Sequence, residues 1–535
     1  MSIGAMSDNR SLGRQYYKAT LRIVYRIYDF LVKMLFTLVY GKTGQKMPPI
    51  RNLLLLDSAT TLAYKIRTKK VTSEEVLNSF IDRITEINPL LNCLVADRYH
   101  EARQEAKTVD DFIRAGTMSE EQLAKEKPFL GVPFTTKDCI AVKGLIHTSG
   151  LYKRRDIIAK EDADAIAYLK RSGAIPIGLT NVSELCMWWE SSNVIHGRTN
   201  NPYDTNHIVG GSSGGEGCIQ AAAGSAFGIG SDIGGSIRMP SFFNGVFGHK
   251  PSKCIVSNKG QYPVPNSDEQ NSFLGIGPIC RRADDLLPLL KIIADKNAVE
   301  LKLDEHVDIK NLRFFYQEHD TGGTFVSAVN PEIRHLLKKL VYHLEKNVKI
   351  KPEKVEMKSF ARSNAMWMGN MTNPGPNFQE QLSNLQGNIN IWFEFLKWFL
   401  RLSNHTFIAL CTALVERMGP RYNSEKHLFW VRQRDEFRRD LVDLLGDDGV
   451  FLYPTHPTPA PFHNEPLFKP FNFSYTSIVN VLGFPATHCP MGLSSDGLPI
   501  GIQVIANHKN DRYCLAVARY IEKAFGGWVP PDIEA

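Results

Sequence analysis

The chain has 535 residues, 43% of them hydrophobic and 22% charged, which is enough apolar material for a large folded core. Its formal net charge of +7 is small for this length, and the sequence has no basic stripe with interleaved aromatic residues. We therefore do not expect the protein to bind nucleic acid. The nine cysteines are scattered without a CxxC or Cys/His cluster. This argues against a disulfide framework or a zinc site and is typical of a reducing compartment.

An N-terminal arm, residues 1–50, contains a predicted amphipathic helix over residues 19–40. Its charged residues stack on one helical face and its aliphatic residues lie opposite. If this helix spanned a membrane, three of the charges would lie in the middle of the bilayer, and each would cost about 2.5–3.5 kcal/mol of insertion free energy. A helix that lies in the membrane interface is therefore favoured. Packing on the protein's own surface and a cleaved targeting peptide are the alternatives. The charged residues are Arg22, Arg26, Asp29 and Lys33, and the aliphatic ones are Val24, Ile27, Leu31, Leu35 and Leu38.

Residues 51–535 are expected to form one body, entered through a linker at Pro48 and Pro49. The segment VTSEEVLNSFIDRITEINPLLN opens with the capping-box spacing of Thr72 and Glu75. Apolar residues then recur at helical intervals until Pro89, where we expect the helix to end.

The segment PFLGVPFTTKDCIAV predicts a short buried strand with Lys137 near its end. A lysine beside an aspartate is usually part of a solvated surface pair, but the apolar surroundings favour a buried Lys137. Burial lowers the pKa of a lysine, so the neutral amine that can accept a proton becomes accessible near pH 7.

The next segments predict a helix, EDADAIAYLKRSG, and a buried strand, AIPIGLT, which together make an αβ unit. The aromatic cluster that follows, Met187-Trp188-Trp189, either lines an acyl pocket or belongs to the plain core. His196 and His207 have no acidic partner in a recognisable pattern, and we interpret both as structural.

Residues 210–251 are unusually rich in glycine and small hydroxyl residues. They read GGSSGGEG, then an Ala/Gly run, then GSDIGGSIRMPSFFNGVFGHKP, and they include Ser212, Ser213 and Ser236. Glycines let the backbone approach a ligand closely, and consecutive N–H groups in such a loop can converge on an anion. Acyl-transfer enzymes need this arrangement around a tetrahedral oxyanion.

This stretch, together with GVPFTTKD upstream, resembles the amidase signature family, whose enzymes use a Ser–Ser–Lys triad. The resemblance implies Ser236 as nucleophile, Ser212 as the bridging serine and Lys137 as the base. It also implies an oxyanion hole made by the backbone N–H groups of Ile233, Gly234, Gly235 and Ser236. The supporting residues are Ser213, Asp232 and Arg238, of which the last two bracket the loop and are expected to hold its shape.

The implied mechanism begins when neutral Lys137 takes a proton from Ser212, which in turn deprotonates Ser236. Ser236 attacks the amide carbonyl to form an acyl-enzyme, the proton returns to the leaving amine, and water completes the cycle. The resemblance implies an α/β fold, with a large mixed, twisted central β-sheet covered by α-helices on both sides, and no metal or organic cofactor.

A competing pattern lies within the same stretch. Gly211-Ser212-Ser213-Gly214-Gly215 fits G-x-S-x-G, the nucleophile elbow of α/β-hydrolases, with Ser213 as nucleophile. That elbow needs a strand before it and a helix after it, and the apolar run before Gly210 is short. It would also leave GGSIR and Lys137 without a role.

Residues 385–420 include five large aromatic residues within ten positions, and the family resemblance implies that they form a hydrophobic helical cap. A core helix pair is the alternative. A similar cap and an apolar N-terminal segment occur in the fatty-acid amide hydrolase branch of the family, and NNPYD, IRMPSFFNG, GDDGVFLYP and FGGWV resemble its type-2 enzymes. The aromatic residues are Trp392, Phe393, Phe395, Trp398 and Phe399.

This likeness, which covers most of residues 55–530, implies hydrolysis of long-chain fatty-acid amides at an intracellular membrane surface, such as the endoplasmic reticulum or a lipid droplet. An amidase or esterase of the same fold acting on small or xenobiotic amides is the first alternative. A catalytically silent, membrane-bound lipid-binding protein is the second. The sequence leaves the oligomeric state open, a homodimer included.

Overall fold

The computed structural model describes residues 3–41, 44–45, 47–323 and 325–532, with side chains from residue 20 onward. The helices are α1 Ile3–Tyr40, α2 Ala59–Arg67, α3 Ser73–Leu91, α4 Tyr99–Ala115, α5 Glu120–Glu126, α6 Asp164–Arg171, α7 Gly214–Ala221, α8 Arg238–Phe243, α9 Asp268–Phe273, α10 Ala283–Ala294, α11 Pro331–His343, α12 Ser363–Asn370, α13 Phe378–Leu382, α14 Ile391–Phe399, α15 Phe407–Glu416, α16 Glu425–Leu445, α17 Ser474–Leu482 and α18 Asp511–Phe525. The strands are β1 Leu94–Asp97, β2 Pro133–Lys137, β3 Ile175–Thr180, β4 Ser192–Asn193, β5 Gly197–Arg198, β6 Phe227–Asp232, β7 Phe247–Lys250, β8 Gly275–Cys280, β9 Arg313–Tyr316, β10 Glu353–Lys354, β11 Gly449–Pro454, β12 Ala486–Leu493 and β13 Pro499–Ala506.

Eleven of the described strands form one mixed sheet in the order β1-β3-β2-β6-β8-β7-β12-β13-β11-β9-β10. Pairing is parallel around β2 and around β9, and antiparallel from β6 through β13. Every residue of β2, β3, β6, β8, β11 and β13 is buried. Because successive side chains point to opposite faces of a sheet, this burial requires cover on both faces. The predicted mixed α/β architecture is confirmed.

The sheet positions the glycine-rich stretch next to the predicted lysine. Strands β2 and β6 are parallel neighbours, paired from Phe134 with Phe227 to Thr136 with Ile229. Carboxyl ends of parallel strands meet at the same edge, so Lys137 lies beside the loop that follows Asp232. Helix α7, which begins after Ser213, packs across β2, β3, β6 and β8.

Helix α3 differs from the prediction at its end. Thr72 caps it as expected, since its side chain accepts a hydrogen bond from the Glu75 N–H. Pro89, however, lies inside the helix, which continues to Leu91 and closes at Asn92 in the left-handed conformation. The residue before a proline is biased against helical geometry but not excluded from it, and burial of Ile87 and Leu91 favours the longer helix.

Helix α1 packs on the protein body through one narrow face. Val32 and Phe36 are buried there, the Asp29 carboxylate lies 2.9 Å from Lys469 Nζ, and the Tyr28 hydroxyl donates to the Phe468 carbonyl. The wider apolar face stays exposed. None of the described helices is both long and apolar enough to cross a bilayer. The exposed apolar residues of α1 are Ile23, Val24, Ile27, Phe30, Leu31, Met34, Leu35, Leu38 and Val39.

The segment predicted as a hydrophobic cap forms the helix pair α14 and α15, which contact each other. Most aromatic side chains of α14 face outward: Trp392 is 66% exposed and Phe399 is 79% exposed. Helix α15 instead buries Ala409, Leu410 and Ala413. The pair is therefore not a plain core element, although its contact with a membrane stays a prediction.

Candidate active site

Lys137 is fully buried at the end of β2, and its amine contacts two hydroxyl groups. Its Nζ lies 2.7 Å from Ser212 Oγ and 3.0 Å from Ser231 Oγ, and it also donates to the Ser231 carbonyl. The structure thus joins two of the predicted site residues that are 75 positions apart in the sequence.

The segment carrying Ser212 is held by its backbone. The Ser191 hydroxyl donates to the carbonyls of Gly210 and Ser212, and it accepts from the Gly214 N–H. The peptide bond before Ser212 is cis. The Ser213 N–H donates to the Ser236 carbonyl at 3.2 Å, so the segment lies directly against the loop with the predicted nucleophile.

The Ser236 hydroxyl makes no hydrogen bond to any residue in the described part of the chain, and the side chain is 7% exposed. Its loop is organised by the Asp232–Arg238 ion pair, whose side chains are both fully buried. Asp232 accepts from the Gly235 N–H at 2.6 Å and from the Ile237 N–H at 3.1 Å. The expectation that Asp232 and Arg238 hold the loop agrees with these contacts.

Side chains from two later helices fix the loop carbonyls. Asn480 donates to the Asp232 carbonyl at 2.8 Å, Trp367 Nε1–H to the Ile233 carbonyl at 3.0 Å, and Thr476 to the Gly234 carbonyl at 2.9 Å. Sequence reasoning missed all three residues. They lie more than 130 positions from the loop, and no local pattern marks them.

The pattern of backbone N–H groups changes one detail of the predicted oxyanion hole. The Gly235 N–H is donated to Asp232 and is not free in this arrangement. The N–H groups of Ile233, Gly234 and Ser236 have no acceptor among the described residues. These three donors are therefore the ones available to a ligand oxygen.

Glycine is required at position 235 for a reason that the sequence did not show. Its φ is +120°, and a Cβ there would lie 2.0 Å from Thr476 Oγ1. Position 234 is less restricted, since a Cβ would lie 3.4 Å from Trp367 Nε1. Gly235 thus allows Thr476 to reach the loop.

The geometry does not favour Ser213 as an elbow nucleophile. Its hydroxyl donates to the Ser231 carbonyl at 3.2 Å, and the side chain is fully buried. Helix α7 follows it, but the described residues just before it form only the isolated bridges of His207 and Ile208, where the elbow needs a strand. Ser213 packs the segment against β6.

Two buried carboxyl groups surround the lysine strand. Burial raises the pKa of Glu216 to about 8, against the opposing effect of hydrogen bonds from Thr180 and Thr135. Burial also raises the pKa of Asp138 to about 7, although Thr148 donates to it. Both groups thus bind a proton more tightly than in the unfolded chain.

The aromatic cluster and the two histidines have separate roles. Met187 lines the cavity described below, whereas Trp189 is buried against Phe243 and His456, as a core residue would be. The His207 ring packs against the Phe462 ring at a tilt of 30°, and His196 Nε2 lies 4.0 Å from Asp138. Neither histidine contacts Lys137, Ser212 or Ser236 in any described hydrogen bond.

A cavity of about 730 Å³ adjoins the site. Its lining includes Ile233 of the loop, Trp367, which binds that loop, and Cys186. Ser236 itself is not among the lining residues. Its far wall includes Thr412 and Val415 of helix α15. The volume falls within the range typical of small-molecule sites, and one wall belongs to the exposed apolar helix pair.

Comparison with known proteins finds relatives that match most of the chain. The sequence profile of the amidase family matches residues 75–515. Fatty-acid amide hydrolase 2-A of Danio rerio is 50% identical, over 91% of this chain and 92% of the relative. Fatty-acid amide hydrolase 2 of Homo sapiens is 48% identical, over 92% of this chain and 93% of the relative. A solved fatty acid amide hydrolase superposes with a TM-score of 0.68 at 23% identity, covering 89% of this chain and 86% of that one, which supports the fold.

Proposed function

Because the chain belongs to the amidase signature family, we propose that it hydrolyses fatty-acid amides to the free fatty acid and an amine. Lys137, Ser212 and Ser236 act as the triad. The 2.7 Å contact between Lys137 Nζ and Ser212 Oγ, inside a fully buried environment, is the observation that supports this proposal most directly.

Ser236 is the nucleophile, and its hydroxyl makes no hydrogen bond to any of the described residues. Lys137 in its neutral form takes the Ser212 proton, and Ser212 takes the Ser236 proton as Ser236 attacks the carbonyl carbon. The substrate brings the two serine hydroxyls into line, since catalytic hydrogen bonds often tighten only in the complex. The proton then returns through Ser212 to the leaving nitrogen, and water hydrolyses the acyl-enzyme.

The tetrahedral oxyanion is stabilised by the uncommitted N–H groups of Ile233, Gly234 and Ser236. The carbonyl groups of Ile233 and Gly234 already accept hydrogen bonds, from Trp367 and Thr476 respectively. Because the backbone N–H donors are already in place before the reaction, they stabilise the transition state without a cost for reorganising the site. Removal of one such donor costs about 10²–10³ in kcat in enzymes of this kind.

The cavity supports an acyl chain as the substrate's larger part. It extends from Cys186 and Ile233 to α15, past apolar side chains such as Met368 and Ile389. Relatives at about half identity are named fatty-acid amide hydrolases. A soluble enzyme for small polar amides would need neither this cavity nor the exposed aromatic face of α14.

The exposed faces of α1 and α14 support contact with a membrane surface. Apolar side chains such as Phe30, Leu38, Trp392 and Phe399 are each more than half exposed. Contiguous apolar faces of this kind mark interaction sites, and an amphipathic helix gains free energy when its apolar face enters the headgroup region. The protein is thus proposed to take its substrate from an intracellular membrane surface.

The test is kcat/KM for primary amides of increasing acyl length, with Ser236→Ala as the blank. Each buried methylene contributes about 0.8 kcal/mol, so kcat/KM should rise about fourfold per methylene until the cavity is full. A flat profile with intact chemistry would assign the enzyme to small amides instead. Activity that persists in Ser236→Ala would contradict the proposed nucleophile.

A further inference from the structure

A buried carboxylate outside the proposed triad connects the cavity wall to the helix pair α14 and α15. Glu184 begins the 3-10 turn Glu184–Cys186 and is 3% exposed, yet it takes no part in the proposed mechanism. Its Oε1 lies 2.7 Å from Nδ1 of His405, which is also buried. Its Oε2 accepts hydrogen bonds from the N–H and the hydroxyl of Thr406 at 2.7 and 2.8 Å. Both oxygens of the buried carboxylate are thus paired, as a charge taken out of water requires.

These contacts join segments that are 221 positions apart in the sequence. His405 and Thr406 end the loop between the two helices, and Thr406 also caps α15, because its hydroxyl accepts from the Ala409 N–H. The Glu184 carboxylate therefore lies at the N-terminus of α15, where unsatisfied N–H groups favour a negative charge. Glu184 thus ties the start of α15 to the segment that lines the cavity.

The turn that Glu184 begins forms part of the cavity wall. Leu185, Cys186 and Met187 follow Glu184 directly, and all three line the cavity. Leu185 and Cys186 have φ values of +52° and +58°, which are costly for residues other than glycine. Such a conformation persists only where its surroundings hold it. The contacts of Glu184 hold one end of the turn, and the Leu185 N–H donates to the Ser149 carbonyl at 2.8 Å.

Further hydrogen bonds extend from His405 to the exposed aromatic helix. The Ser403 hydroxyl accepts from the His405 N–H at 3.1 Å and donates to the Glu394 carboxylate of α14 at 2.8 Å. Polar contacts therefore connect α14 to Glu184 through the loop, so that the two helices and the cavity turn are held together.

We propose that Glu184 is a positioning residue that sets the selectivity for long acyl chains, because it fixes α15 against the cavity. This inference rests on the proposed hydrolysis of fatty-acid amides. Thr412 and Val415 of α15 belong to the far wall of the cavity. A long chain bound at the triad reaches that wall, whereas a short chain ends before it. The contact of Glu184 with His405 and Thr406 thus matters most to substrates whose chain touches α15.

The substitution Glu184→Gln weakens this contact and preserves the shape of the side chain. The glutamine NH₂ group would face donors of His405 or Thr406, and the negative charge at the start of α15 would be lost. Each methylene that no longer packs against α15 costs about fourfold in kcat/KM. We expect kcat/KM for hexadecanamide to fall by about tenfold or more, mainly through a higher KM, and kcat/KM for hexanamide to change by less than about twofold.

Glu190 provides a matched control in the same stretch of the chain. It is also buried, and its Oε1 lies 3.0 Å from Nδ1 of the buried His463, which repeats the carboxylate–imidazole pairing of Glu184 and His405. Neither Glu190 nor His463 is among the described residues that line the cavity. Glu190→Gln should therefore destabilise the fold while the ratio of the two kcat/KM values stays that of the wild type. A loss caused only by reduced stability would lower the rates for both amides equally.

The experiment measures kcat and KM of the full-length wild type, Glu184→Gln and Glu190→Gln for both amides, together with urea denaturation. His405→Phe and its combination with Glu184→Gln complete a double-mutant cycle. If the two side chains act through their contact, the second substitution should add little to the first. Hydrogen exchange gives a readout independent of activity, since the backbone amides of α15 should exchange faster in Glu184→Gln than in the wild type.

Three results would overturn the inference: an equal loss for both amides in Glu184→Gln, an equal change of the ratio in Glu190→Gln, or additive effects of Glu184→Gln and His405→Phe. If these variants do not fold, Thr406→Val decides, because it removes one hydrogen bond and keeps the charge. It should reduce the preference for hexadecanamide by a smaller factor, and an unchanged ratio would refute the role of Glu184. Failure of the proposed function would appear separately, as a wild type that hydrolyses neither amide or does not prefer the longer one.

Discussion

The substitution Asp232→Asn tests whether the buried ion pair shapes the catalytic loop. The Asp232 carboxylate accepts from Gly235 N–H, Ile237 N–H and the guanidinium of Arg238, and both charged side chains are fully buried. An amide has the same shape but no charge, and its NH₂ group would face N–H donors. Arg238 would stay buried without its counter-charge.

The expected loss of stability can be bounded in two ways. Removal of one partner from a buried ion pair typically costs about 3–5 kcal/mol. Independently, burial tends to raise the pKa of Asp232, but the charge and hydrogen bonds of Arg238, with Lys250 and Asn480, lower it from 3.8 to about 2. That shift corresponds to about 2 kcal/mol in favour of the folded, ionised state. The figure of about 2 kcal/mol from the pKa shift already includes the cost of burying the Asp232 charge. Together the two figures predict that the free energy of unfolding falls by about 2–5 kcal/mol.

The assay is urea denaturation of both proteins between pH 7 and pH 2, paired with kcat. A depressed carboxyl pKa contributes stability that is fully present above the unfolded value and is lost as pH falls through the folded value. The wild type should therefore lose this contribution between about pH 4 and pH 2, and Asp232→Asn should lack that part of the pH dependence. Its kcat should fall because the amide has one oxygen instead of two, so either Gly235 N–H or Ile237 N–H loses its acceptor.

Asp285→Asn is the matched control. Asp285 is also a fully buried carboxylate, but it holds the start of α2 through Ala59 and Thr60, and burial raises its pKa. Because the pKa of Asp285 is raised and that of Asp232 is lowered, this variant should alter the pH dependence of stability in the opposite direction. Its kcat should stay the same. Equal stability of wild type and Asp232→Asn at pH 7, or an equal fall of kcat in both variants, would refute the reasoning.

Two other variants, one of them a double substitution, test the base and the membrane surface. Lys137→Ala should lower kcat by several orders of magnitude and flatten the pH profile between pH 6 and 9, because the buried amine that contacts Ser212 is gone; a near-wild-type rate with an unchanged profile would exclude Lys137 as the base. Leu31→Glu with Phe399→Glu should weaken co-flotation with phospholipid vesicles by more than about a hundredfold, since each apolar side chain contributes about 1.5–3 kcal/mol when buried. Val299→Glu, at an exposed apolar position outside both faces, should float like the wild type, and equal flotation of all three proteins would contradict the membrane proposal.

The sequence by itself determined the parts of the site that depend on local chemistry. The resemblance carried by GVPFTTKD, GGSSGGEG and GGSIR implied that Lys137 and Ser212 interact, and their side chains lie 2.7 Å apart. The apolar setting of Lys137 predicted its burial, which is confirmed. Local patterns suffice here because a buried strand and a glycine-rich turn are each specified within about ten residues. The mixed sheet was likewise implied by the family resemblance and is confirmed.

The tertiary structure decided what depends on segments distant in sequence. Trp367, Thr476 and Asn480 bind the loop carbonyls from helices that begin more than 120 positions after Ser236, so no periodicity could identify them. The Gly235 N–H is turned to Asp232, and the face of α1 that packs is set by Lys469 and Phe468, which the arm's own pattern does not contain. Such contacts exist only once the sheet and its helices bring distant residues together, because a single side chain's partner is fixed by packing rather than by its neighbours in the chain.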